Sequence, residues 1–208
     1  MVLSPSVVPP STDALVKHIL TVGNSVNVAS VIQYSPTVGG GKLTPEAIKQ
    51  ICDKSKNKLY IKAEPIPPAP FVDSIRTATN GKIGIFAGNM CLQMIDLLDR
   101  GVTGFMPGVS LVPIFDEIFH TYARGDRARA KQIYDAAMPM VLILNQDIEV
   151  LCLYEKMMMV KRGIISNSYC RKPTAFPYDE RFWNMFNEYR ENLRAIVNVG
   201  EDYQASSS

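Results

Sequence analysis

Lys62 stands in the middle of the run Leu59, Tyr60, Ile61, Lys62, Ala63, whose other positions are apolar or aromatic and favour a β-strand. Pro65, Pro67, Pro68 and Pro70 end that run abruptly. An amine so placed has two uses. It snorkels to water from an edge or half-exposed strand, or it is held in an apolar cavity, where desolvation favours the neutral form that attacks a carbonyl. The local sequence leaves both open. Glu64 lies two residues on, on the same strand face. Its carboxylate either orients the amine and favours the charged form, or is a solvated strand end. An amide and a phenol, Gln33 and Tyr34, close a second β-favouring run, and Gly88 and Met106 lie at the ends of two more.

Other chemistries find little to work with. The four cysteines, Cys52, Cys91, Cys152 and Cys170, are widely spaced and form no C-x-x-C pair, which argues against zinc and against a disulfide scaffold and fits a reducing, cytoplasmic setting. His18 and His120 are the only imidazoles, and each falls in a helical pattern as a packing or surface residue. There is no P-loop, no G-x-G-x-x-G and no H-E-x-x-H. With 22 basic against 20 acidic side chains and no Lys/Arg stripe, the chain offers nucleic acid no footprint. Its 47% hydrophobic content suits a globular protein, and its longest apolar stretch, MPMVLIL, is too short to cross a bilayer. The N-terminus MVLSPSVVPP lacks the charged and apolar regions of a signal peptide.

The elements that must position these residues alternate along the chain. MVLSP predicts a strand, followed by a helix from about Thr12 capped by Ser11 or Thr12. ASVIQYSP predicts a second strand, and LTPEAIKQICDKS a helix with Thr44 as cap, Pro45 in the first turn and Glu46 at the positive end of the dipole. KLYIKAEP is the third strand, with a helix from Pro70 or Phe71 to Ala78. Ile83 to Ala87 is the fourth strand, continued by the helix MCLQMIDLLDR; GVTGFMPG is the fifth, feeding the helix VPIFDEIFHTYARG. This is the α/β pattern of parallel βα units. After Gly125 it stops, and three helical patterns follow, with Met157 to Met159 as core packing rather than a metal or cofactor box. Residues 200–208, GEDYQASSS, are a polar tail expected to be mobile. The carboxyl ends of parallel strands are where such folds place their chemistry, which puts Gln33, Tyr34, Lys62, Glu64, Gly88 and Met106 at one mouth. A different use of that edge is a phosphate pocket built from Gly88, Gly108 and Ser110.

In order along the chain, VIQYSPTVGG, LTPEAIKQI, LYIKAEP, IGIFAGN, LLDRGVTGFMPG and ARGDRARAKQIYDAAMP resemble the motifs of the dihydrodipicolinate synthase and N-acetylneuraminate lyase family, the Schiff-base-forming (β/α)8-barrel lyases. The resemblance spans nearly all of the 208 residues and implies a partial (β/α)8 TIM barrel of about five parallel βα units over residues 1–125, with a helical extension over 126–199. It places Lys62 on the imine-forming lysine. Aligned on that lysine, Tyr34 takes the place of the proton-relaying tyrosine; aligned on Pro36, the place belongs to Gln33, and strand alternation lets only one of the two face the barrel. Gly88 and Met106 fall where members offer backbone groups to the bound keto acid. The function implied is a carbon–carbon lyase or aldolase acting on a pyruvate-like 2-oxo acid, with no metal or organic cofactor and with association into a homo-oligomer.

Three departures qualify this. Thr37 to Gly40 stand where members that make dihydrodipicolinate carry an arginine, and Ser4, Pro5, Ser6 and Val7 stand where theirs read Thr-Pro-Tyr-Tyr, so dihydrodipicolinate synthesis itself is not expected. The chain starts at what resembles the fourth strand, without the Gly-Thr-Thr-Gly-Glu motif that binds the substrate carboxylate. Five strands leave two open edges where eight would close. The alternative is therefore a non-catalytic paralogue or truncated fragment that keeps the lysine by descent and binds a partner chain.

Overall fold

The computed structural model describes residues 1–5, 8–36, 41–174 and 176–197. Ser6 and Val7, the segment from Thr37 to Gly40 and the polar tail lie outside the described residues. The chain forms two compact units that divide between Met106 and Pro107.

The first unit runs β1 (Val2–Leu3), α1 (Thr12–Asn24), β2 (Ser30–Tyr34), α2 (Pro45–Lys54), β3 (Leu59–Ala63), α3 (Ala69–Thr79), β4 (Gly84–Ala87), α4 (Met94–Asp99) and β5 (Gly104–Phe105). The five strands form one parallel sheet in chain order. Each helix returns the chain to the starting edge, so all carboxyl ends open on the other. Local signals act as the sequence predicts: the Ser11 hydroxyl accepts the Ala14 N–H, and the Thr44 hydroxyl accepts the Ala47 N–H ahead of Pro45.

Strand alternation sorts the sheet into two faces. Ile32, Ile61, Ala63, Ile85 and Ala87 belong to a buried core shared with Leu15, Ile48 and Ile75 of the helices. The intervening residues, Gln33, Tyr60, Lys62 and Phe86, take the opposite face. There Tyr60 pairs in register with Gly84, and Phe86 with Gly104. The two rings lie 5.2 Å apart, and a side chain on Gly84 would come within 2.7 Å of the Tyr60 ring. The glycines make room for an aromatic floor below the lysine.

One expected helix differs. The chain does not enter a right-handed helix at Met90 but passes through Asn89, Met90, Cys91 and Gln93 with φ of 49, 52, 60 and 64°, and α4 begins only at Met94. A left-handed conformation costs an ordinary L-residue about 1–2 kcal/mol, so four in five positions persist only where surrounding contacts fix them.

In the second unit α5 (Val112–Ala123) packs on α6 (Arg127–Leu144), α7 (Ile148–Lys161) follows, and α6 packs on α8 (Glu180–Ile196). The helix after β5 lies in the same compact unit as the later helices. Asp126, Asp147 and Asp179 cap the last three helices through their carboxylates. Tyr154, fully buried, is ringed by Phe176, Phe182, Trp183 and Phe186. Met158 is buried in this unit's interior. No single helix among the described residues is long and apolar enough to cross a membrane.

Candidate active site

Lys62 lies at the penultimate position of β3, level with Gln33 of β2 and Phe86 of β4. Its side chain is 16% exposed and its ammonium contacts Glu64 Oε1 at 2.9 Å. Of the two uses open to a strand lysine, the structure shows neither in pure form. The amine is withdrawn from water, yet a carboxylate rather than an apolar cavity receives it.

Glu64 is the hub. It is 8% exposed; Gln33 Nε2 donates to its Oε2 at 3.0 Å, and the Asn89 N–H donates to its Oε1 at 3.3 Å. Asn89 Nδ2 in turn donates to the Glu64 carbonyl at 2.9 Å. One carboxylate therefore ties the lysine, the amide of β2 and the first residue of the left-handed turn together. The Glu64 carboxylate and carbonyl thus supply contacts that help hold the strained turn at Asn89.

Gly88 makes that geometry possible by what it lacks. A methyl there would lie 2.5 Å from Glu64 Cγ, a separation real side chains do not adopt. Both its backbone groups are engaged within the chain, the N–H with the Ala63 carbonyl at 3.2 Å and the carbonyl with the Cys91 N–H at 2.9 Å. The Met106 N–H likewise goes to the Ala87 carbonyl at 2.9 Å. The glycine supplies space rather than a free donor. Gly88→Ala is expected to displace Glu64 and cost about 2 kcal/mol, the usual range for overpacking; urea denaturation checks it, and an unchanged midpoint would contradict it.

The β2–β3 register decides between the two candidates of β2. Gln33 is paired with Lys62 and bonds to its carboxylate partner, whereas Tyr34 is paired with Ala63 on the other face, its ring 4.9 Å from Phe71. The phenol expected beside the amine is therefore not there, because adjacent strand residues point to opposite faces. Cys91, fully buried, was not among the sequence candidates. Burial pushes its thiol well up, against the Lys62 charge and a hydrogen bond with the Met106 backbone, so it is a packing residue rather than a nucleophile. No sequence signal marked it. Ser110, proposed for phosphate, gives its N–H and hydroxyl to Glu155 instead.

The fold has counterparts among solved structures. The dihydrodipicolinate synthetase family model matches residues 1–193. A dihydrodipicolinate synthase from Rhodopseudomonas palustris superposes with a TM-score of 0.79 at 22% identity, over 91% of this chain and 64% of that one. YagE, a prophage protein of the dihydrodipicolinic acid synthase family from E. coli K12 solved with pyruvate, gives 0.78 at 19% identity, over 92% and 65%. The chloride-inhibited dihydrodipicolinate synthase from Acinetobacter baumannii, also solved with pyruvate, gives 0.77 at 17%, over 94% and 65%. The chain thus spans just under two thirds of the length of these structures, and its five-stranded sheet is part of their barrel. No curated protein matches it. On the match over residues 1–193, the chain belongs to the dihydrodipicolinate synthetase family.

Proposed function

We propose that Lys62 forms a Schiff base with a pyruvate-like 2-oxo acid and that the site makes or breaks the adjacent carbon–carbon bond. The observation that carries this reading is a lysine at the carboxyl end of a parallel strand, largely withdrawn from water and held by a buried carboxylate within proton-transfer distance. Glu64 takes a proton from the ammonium, the freed amine attacks the carbonyl carbon of the 2-oxo acid, and Glu64 returns the proton as the hydroxyl leaves as water. The protonated imine then accepts the electron pair released from the neighbouring carbon–carbon bond, and hydrolysis restores the amine. Gln33 moves no proton; its amide orients Glu64. Gly88 leaves the space in which that carboxylate turns.

Exchange of the pyruvate methyl hydrogens in D2O, followed by proton NMR, reads out imine and enamine formation without requiring the second substrate. Gln33→Ala is expected to slow this exchange about tenfold, the worth of one hydrogen bond to a charged group, while Tyr34→Phe leaves it within twofold. The reverse order would put the phenol back in the site. A second reading has its own support: with an amide where a phenol is needed and Glu64 compensating the amine, the lysine also suits a non-catalytic chain that pairs with a partner along β1 or β5, the edges of the sheet. A folded chain with no exchange above buffer would favour it.

A further inference from the structure

The run from Asn89 to Gln93 is held against its own preference. Asn89, Met90, Cys91 and Gln93 are left-handed, and Leu92 between them is extended, at φ −52° and ψ 136°. Two local bonds close the run, from the Cys91 N–H to the Gly88 carbonyl at 2.9 Å and from the Leu92 N–H to the Asn89 carbonyl at 3.1 Å. Met90, Leu92 and Gln93 are of types that favour the right-handed helix, and α4 follows directly, with no side chain capping its start among the described residues. Against that preference stand the burial of Met90 and Cys91 and the tie of Asn89 to Glu64. A segment balanced in this way has a second arrangement within reach, in which α4 extends back toward Asn89 as a right-handed helix.

The tie is shared with the amine. Glu64 Oε1 is the oxygen that meets both Lys62 Nζ at 2.9 Å and the Asn89 N–H at 3.3 Å. A 2-oxo acid joined to Nζ carries its carboxylate on the carbon that bonds the nitrogen. The adduct therefore sets a second carboxylate beside this oxygen, and like charges repel.

We propose that the turn from Asn89 to Gln93 is a strap that opens when Lys62 is occupied: the substrate carboxylate pushes Glu64 Oε1 away from the Asn89 N–H, and the turn rewinds onto the start of α4. The trigger rests on the Schiff-base reading, whereas the strap itself rests on the backbone and on Glu64.

Alkylation of Cys91 reads the strap, since a thiol fully buried in the closed turn does not react. The full chain is treated with pyruvate and borohydride: Nζ bonds to the former carbonyl carbon, the carbonyl oxygen leaves as water, and hydride reduces the imine to a stable secondary amine. Iodoacetamide is then added and each cysteine followed by peptide mapping, which also gives the share of chains that carry the adduct on Lys62. The adduct is expected to speed Cys91 alkylation about tenfold, the worth of one hydrogen bond to a charged group, while amide exchange in β3 and β4 stays as it was, the mark of a local opening. Asn89→Ala, which removes the Nδ2 bond to the Glu64 carbonyl, is expected to speed alkylation without pyruvate. Gln93→Gly, at an exposed position whose φ of 64° glycine adopts freely, is expected to slow it about tenfold. Unchanged Cys91 alkylation in chains that carry the adduct would overturn the coupling, and alkylation indifferent to both Asn89→Ala and Gln93→Gly would overturn the strap. If no adduct forms, the Schiff-base reading and with it the trigger fall, and the two variants alone decide the strap.

Discussion

Lys62→Ala is expected to bring pyruvate methyl exchange down to the rate in buffer while leaving the chain folded. The loss is large because every later step in the proposed mechanism runs through the imine; a missing nucleophile is not compensated by its neighbours, and enzymatic accelerations of this kind reach 10⁶ or roughly more. The fold survives because the residue left behind is still provided for. Glu64 keeps the Gln33 amide and the Asn89 N–H as donors, so the cost is that of one charged hydrogen bond, about 2 kcal/mol. Exchange measured beside a urea titration separates the two effects. Retained exchange in a folded Lys62→Ala chain would remove the lysine from the chemistry.

Glu64→Ala is expected to be the more damaging change to stability. It leaves Lys62, whose side chain is only 16% exposed, without an acceptor among the described residues, and releases the Gln33 amide and the Asn89 N–H together. Breaking a buried pair by removing one partner typically costs about 3–5 kcal/mol; the partial exposure of the lysine places this case near 3 kcal/mol. The turn of left-handed residues loses a contact at its first position as well, so amide exchange at Asn89 should speed up with the global loss. Glu64→Gln keeps an acceptor oxygen and should retain more of the stability but not the proton transfer. Equal destabilisation by Lys62→Ala and Glu64→Ala would mean that Glu64 is not the hub described here.

Much of the scaffold around these residues was legible because its signals are local. Ser11, Thr44 and Pro45 announce helix starts through hydrogen bonds made within one turn, and the LYIKA run carries its own two-residue period. What sequence alone withheld depends on partners far along the chain. Alternation says that Gln33 and Tyr34 face opposite ways, but only pairing with Lys62 says which faces inward. The left-handed run from Asn89 to Gln93 has no propensity signature in Met90 or Cys91; it is held partly by Glu64, 25 residues earlier. Likewise, Glu64 read equally well as a solvated strand end until Gly88 supplied the space for it to turn inward.

The most direct test of the central claim is to incubate the chain with pyruvate, reduce with borohydride and locate the added mass by peptide mapping. The account predicts a single pyruvate-derived adduct on Lys62, absent in Lys62→Ala. A folded, monodisperse chain that gains no mass, or gains it on exposed lysines such as Lys49 or Lys131 instead, would contradict it.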